Sequence, residues 1–239
     1  MKRILTRIAT CLTLTGILLV LLAACRSQAG SDPTGLTHYT PQDFISMQQF
    51  EVVNSQHPDT DIAYVHKDNS ILYRTHMPDR IRGEERTIFY EISPERNREY
   101  VDGAWQTIAT DDIDDYVQSM DAVTGKQYHN LQPANFRQTS DYVWEIDTDA
   151  FFRQAFRHTY EWYFGKDYTD AEFDAAFDET HVSMYGNLDL YTVTLDCTDP
   201  AQIRLTIAKR ATDTTSAFTQ VFTYRNVHTA EITLPEESA

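Results

Sequence analysis

Cysteine is scarce in this 239-residue chain, with only Cys11, Cys25 and Cys197 present. Three thiols cannot build a disulfide scaffold. Glycine and proline number eight each, too few for a fibrous or low-complexity protein. Basic residues are few as well: 20 Lys+Arg stand against 36 Asp+Glu, a formal charge of −16. Phosphate backbones demand a basic face, so a duplex-gripping nucleic-acid function is excluded. Motifs of known chemistry are also missing. The chain has no Gly-x-Ser-x-Gly elbow, no phosphate-cradling glycine loop and no His-Glu-x-x-His. Its eight histidines (38, 57, 66, 76, 129, 158, 181 and 228) form no His-x-His or His-x3-His pair. No enzymatic activity, metal or cofactor is therefore expected. What is present is 41% hydrophobic and 12% aromatic residues, enough for a real core.

The most informative stretch is the first. Lys2, Arg3 and Arg7 precede an apolar run from Ile8 to Leu22, and no acid appears before Asp32. A basic head, a short apolar stretch and small residues before a cut predict a secretory signal peptide over 1–24. The run falls short of the roughly twenty residues that a spanning helix needs. Leu22-Ala23-Ala24-Cys25 resembles a bacterial lipobox. That resemblance implies diacylglycerol on the Cys25 thiol and cleavage just before it. Two or more acyl chains, at about 0.8 kcal/mol per buried methylene, make a stable anchor. The expected location is the extracytoplasmic face of a bacterial cell membrane, with the membrane itself as partner through Cys25.

Losing residues 1–24 removes three basic residues and no acid, so 17 Lys+Arg would face 36 Asp+Glu, a balance of −19. Cys197 is then the one thiol left, and it is read as a small residue near a strand end. Residues 25–39 carry the lipidated cysteine and a polar Gly/Ser/Pro/Thr tether. Residues 40–236 are expected to form one domain, which is expected to be monomeric. Asp111-Asp112-Ile-Asp114-Asp115 and Asp147-Thr-Asp149 lack the glycine-containing spacing of a calcium loop and read as solvated helix starts.

Within the domain, Thr40-Pro41 and Asp43 start a helix whose apolar face runs through Phe44, Ile45, Met47 and Val52, ending before His57-Pro58. Alternation predicts strands at Ile62–His66, Ile71–Arg74 and Arg86–Ile92, then a hairpin turning at Asp102-Gly103. Tyr142–Ile146 reads as a strand, with Thr148 as a cap, a helix over 149–164 and Gly165 as its stop. Thr169-Asp-Ala-Glu172 is a capping box opening a shorter helix. Strands are expected at 183–196, 203–210, 217–224 and 229–234. Short connections make this an antiparallel meander, and a sheet of that size tends to curl. The fold class is α+β: a curved antiparallel sheet, part of a barrel, with helices packed on its concave face.

Two segments carry a family resemblance. The ending Val221-Phe-Thr-Tyr224-Arg-Asn226-Val-His-Thr-Ala-Glu-Ile232-Thr-Leu-Pro235-Glu236 looks like the terminal strand pair of LolA-like bacterial lipoproteins of the LppX/LprG type. Tyr100-Val-Asp-Gly103-Ala-Trp105 is similar to their central hairpin. The resemblance implies a half-barrel wrapped around helices, with an apolar cavity that holds acyl chains in several members. On that reading Phe151, Phe152, Phe156, Tyr160, Tyr163, Phe173 and Phe177 are candidate lining for an apolar or acyl-chain ligand. Aromatics at helical spacing also suit a filled core, and a partner-binding patch is a third option. The alternative function is therefore a surface interaction lipoprotein with a packed core and no ligand. The sequence names no protein partner.

Overall fold

The computed structural model describes residues 37–79, 83–109 and 113–237, without the side chain of Asp114. The signal peptide 1–24, Cys25, the tether as far as Leu36, and Asp111-Asp112 lie outside the described residues. His38–Ala239 is one compact unit.

Thr40 caps the short helix α1 (Pro41–Ser46) through a reciprocal bond with Asp43, as expected. The helix then stops at Met47, well short of Val52. Gln49–Asn54 is instead the strand β1, with Phe50, Val52 and Asn54 buried on alternate positions. Two successive valines and a period of two outweighed the apolar spacing shared with α1. The antiparallel arm continues through β2 (His57–Lys67), β3 (Ser70–Asp79), β4 (Glu84–Ile92), β5 (Asn97–Val101) and β6 (Ala104–Thr107). Asp102 and Gly103 both adopt positive φ in the last hairpin, as their residue types predict.

After β6 the chain leaves the sheet as α2 (Ile113–Thr124), then adds β7 (Phe136–Ser140) and β8 (Val143–Ile146). Helices α3 (Thr148–Phe164) and α4 (Asp170–Tyr185) follow, then β9 (Tyr191–Asp196), β10 (Gln202–Lys209) and β11 (Phe218–Arg225). The N-cap of α3 is Asp147, which accepts from Ala150 N, and Thr148 is already helical. Ser183–Tyr185, expected in a strand, complete α4 before Gly186 stops it. Thr229–Leu234, also expected as a strand, joins no ladder.

All eleven strands form one open antiparallel sheet in the order β6-β5-β4-β3-β2-β1-β11-β10-β9-β8-β7. The two meander arms meet where β1 pairs β11, with Val52 opposite Tyr224 and Asn54 opposite Phe222. One face is apolar, with Phe50, Tyr73, Leu195, Ile203, Leu205 and Tyr224 fully buried. The other carries charge: Arg74 reaches Glu51 at 3.2 Å and Asp61 at 3.5 Å, and Arg225 reaches Asp61 at 3.4 Å. That division is the ordinary result of period-two alternation with one buried side.

Helix α2 crosses the buried face obliquely. Tyr116 packs on Tyr90 of β4, and the Tyr73 hydroxyl of β3 donates to Asp121 at 3.4 Å. Asn54 of β1 donates to Val123 O at 3.3 Å, and Tyr224 of β11 donates to Thr124 O at 3.0 Å. Tyr128 then stacks on Phe151 at 4.0 Å, joining α3 to the layer.

Candidate binding groove between helices α2 and α3

Helices α2 and α3 run antiparallel, so positions that advance along one meet positions that retreat along the other. Trp162 lies against Asp115, with Nε1 donating to the carboxylate at 2.8 Å. Further along, Ser119 and Ala122 of α2 and Ala155 and His158 of α3 line one cleft of about 400 Å³. Gln118, Gln127, Tyr128, Thr159, Met184 and Tyr185 complete its walls. Ser119, Ala122 and Ala155 have small side chains, which leave the space of the cleft unfilled.

The lining is largely polar. His158 Nε2 and Gln127 Oε1 are buried and make no hydrogen bond. Such atoms cost about 1–3 kcal/mol each when left unsatisfied, and native proteins leave few of them. Asp121 of α2 does not line the cleft but bonds Tyr73 on the sheet side; burial raises its carboxyl, and the charges of His158 and Lys126 act against that rise. Burial lowers the Lys126 ammonium, opposed by Asp121, and its Nζ sits 5.1 Å from the centre of the Tyr64 ring. Burial also raises the hydroxyls of Tyr64 and Tyr73, each further raised by Asp121. The groove itself is lined by the polar side chains of Gln118, Ser119, Gln127, His158 and Thr159 and by the rings of Tyr128 and Tyr185, a mixture that can orient a small polar ligand.

The seven candidate lining aromatics lie elsewhere. Phe151, Phe173 and Phe177 are 0–1% exposed and Phe152 and Phe156 are buried, all within the central apolar cluster. Phe156 packs on Phe173 at 5.6 Å and on Phe177 at 5.5 Å, and Phe152 packs on Tyr191 at 4.7 Å. Tyr160 is half-buried against Phe173 at 5.9 Å, whereas Tyr163 is 65% exposed. The four clefts described among these residues are lined by other side chains. Cys197 is fully buried, and burial pushes its thiol up to about 12. Cys25 is outside the described residues. Among the described residues no group of three or more His, Cys, Asp or Glu side chains is placed to hold a metal ion. No helix among them is long and apolar enough to cross a membrane.

No known protein family, curated protein or solved structure matches this chain. The groove residues had no signal of their own in the sequence. Ser119 of α2 and His158 of α3 share a cleft only because the two helices pack side by side. The one usable hint is the set of small residues Ser119, Ala122 and Ala155 among the larger side chains of their helices.

Proposed function

We propose that this chain is a lipid-anchored lipoprotein on the extracytoplasmic face of a bacterial cell membrane, and that it binds through the α2–α3 groove above a packed core. The anchor rests on the lipobox at Leu22–Cys25. The binding reading rests on His158 Nε2 and Gln127 Oε1, buried polar atoms without a hydrogen bond on two residues that line the groove. Their cost is recovered when a ligand supplies the missing partners.

The same reading takes the open sheet as a LolA-like half-barrel. Support comes from the meander order and from helices whose aromatics pack on one sheet face. The filled interior favours the packed-core alternative over an acyl-chain cavity, since Phe151, Phe173 and Phe177 already occupy the space between helices and sheet.

Native mass spectrometry of the protein purified from its own membrane tests both parts. A bound small polar molecule is expected on the wild type and absent from Ser119→Tyr, whose ring fills the groove. A wild-type spectrum without adduct overturns the groove. A mature amino terminus lacking diacylglycerol on Cys25 overturns the anchor.

A further inference from the structure

Among the described residues, the largest breach of the apolar-inside rule is the last turn of α3. Trp162, Tyr163 and Phe164 are 39%, 65% and 72% exposed, three aromatics in succession before Gly165 ends the helix. Trp162 packs on Tyr163 at 4.2 Å and Tyr163 on Phe164 at 6.4 Å, while Phe164 also leans on Tyr160 at 4.8 Å and leaves most of its own ring in solvent. The Trp162–Asp115 bond fixes the indole in place. Consecutive exposed aromatics of this kind mark an interaction surface.

The turn lies on the side where the chain enters the domain. Gln42 and Ile45 of α1, a few residues after His38, line a cleft together with Gln154, Arg157 and Glu161 of α3. Trp162 follows directly. Twelve residues separate Cys25 from His38; extended at roughly 3.3 Å each they span about 40 Å. A domain held by acyl chains on Cys25 can therefore bring this side to the bilayer. Tryptophan and tyrosine, apolar bodies with one polar atom, favour the headgroup level of a membrane.

We propose that Trp162, Tyr163 and Phe164 dock on the lipid surface that holds the anchor, orienting the domain on its membrane. This rests on the lipoprotein reading. The docking is apolar, not electrostatic. The neighbouring charges are mixed: Lys166 and Arg157 against Glu161 and Asp167, with Asp115 engaged by Trp162 and Glu161 by Tyr168. The anchored chain, without residues 1–24, has a balance of −19, so anionic lipid repels it.

The test uses the intact protein in phosphatidylcholine vesicles carrying bromine near the headgroup end of the acyl chains. With Trp105→Phe and Trp144→Phe leaving Trp162 as the emitter, emission should fall about twofold, as for an indole at the interface. Tyr163→Ser with Phe164→Ser should abolish that fall, and phosphatidylglycerol vesicles at low salt should weaken it. Should the double Phe variant fail to fold, the wild type compared with Trp162→Phe gives the same reading. A protein that floats with the vesicles without quenching overturns the docking and leaves the anchor standing. A protein that quenches but has no lipid on Cys25 upholds the docking and overturns the anchor. A protein that does not float overturns both. Concentration-dependent dimers without quenching would assign the surface to a second copy and overturn the proposal.

Discussion

The hydroxyl of Tyr224 donates a 3.0 Å hydrogen bond to the carbonyl of Thr124, joining two fully buried residues 100 positions apart. It fixes the end of α2 to β11, and thereby the helix that forms one wall of the groove. Gly125, the next residue, has φ +73, and a Cβ there would stand 2.5 Å from the same hydroxyl and 3.1 Å from the Phe222 ring. Left-handed backbone and overlap combine, so Gly125→Ala should destabilise by about 2–4 kcal/mol. Tyr224→Phe alone should cost about 1 kcal/mol, yet relieve part of the Gly125→Ala loss when combined with it. Urea denaturation of the four proteins measures the coupling. Simple additivity would show that the hydroxyl does not set the approach.

His129 makes the fold sensitive to acid. It is buried against Phe44 at 4.9 Å, Phe50 at 5.5 Å and Tyr224 at 5.7 Å, with no hydrogen bond to either ring nitrogen. Burial, aided by the Lys126 charge, lowers its pKa well below 6.5. The unfolded chain therefore binds a proton that the folded chain refuses. Stability should be constant above the unfolded value of about 6.5 and fall below it, by at most about 1.4 kcal/mol per pH unit from this residue. Asp121, whose carboxyl burial raises, works in the opposite sense. Urea midpoints between pH 7.5 and 5 should fall in the wild type and fall less in His129→Leu. Equal slopes in the two proteins would refute the assignment.

Cys197 should be silent in the folded protein. Its thiol is fully buried and is pushed up to about 12 by burial, with Asp196 and Asp43 adding to the rise. At pH 8 the thiolate is then only about one part in ten thousand, and the thiolate is the reactive form. A thiol reagent such as dithionitrobenzoate should label Cys197 only as fast as the domain opens, and fully in urea. Rapid labelling in buffer would mean an open path to the sulfur.

Local signals were legible where one residue type answers one backbone demand. Asp102-Gly103 met the positive φ of its hairpin, Thr169 and Glu172 closed their capping box, and Gly165 stopped α3. Errors arose where two periods overlapped. Val52 fits the apolar stripe of α1 and the alternation of β1 equally well, and only the pairing with Ile62 and Tyr224 settles it. Strand β7 was missed because Phe136-Arg-Gln-Thr-Ser140 is an edge strand, exposed after its first residue. The aromatic helices were legible as helices, but not which of their rings reach the core. Phe156 is buried and Phe164 is 72% exposed although both belong to one aromatic run. The groove was illegible because it joins residues about 40 positions apart across two antiparallel helices.

Arg153 supplies the last expectation. From α3 it reaches Asp149 at 2.6 Å, Asp174 at 2.7 Å and Asp178 at 3.4 Å, the last two on α4, while its guanidinium lies 4.4 Å from the centre of the Phe177 ring. The bonds to Asp149 and the charges of all three aspartates raise its pKa, against burial, so it stays charged. Removing it leaves three carboxylates repelling one another along the α3–α4 seam. The site is partly exposed and screened, so Arg153→Ala should cost only about 1 kcal/mol, and less in high salt. Arg153→Lys should recover little, because a single ammonium cannot span three acceptors and stack on the ring. Replacing Asp174 and Asp178 by Asn in the Arg153→Ala background should restore part of the loss by removing the repulsion. Thermal melts at low and high salt read all of these. Full rescue by lysine would mean that net charge, and not the planar fork, holds the two helices together.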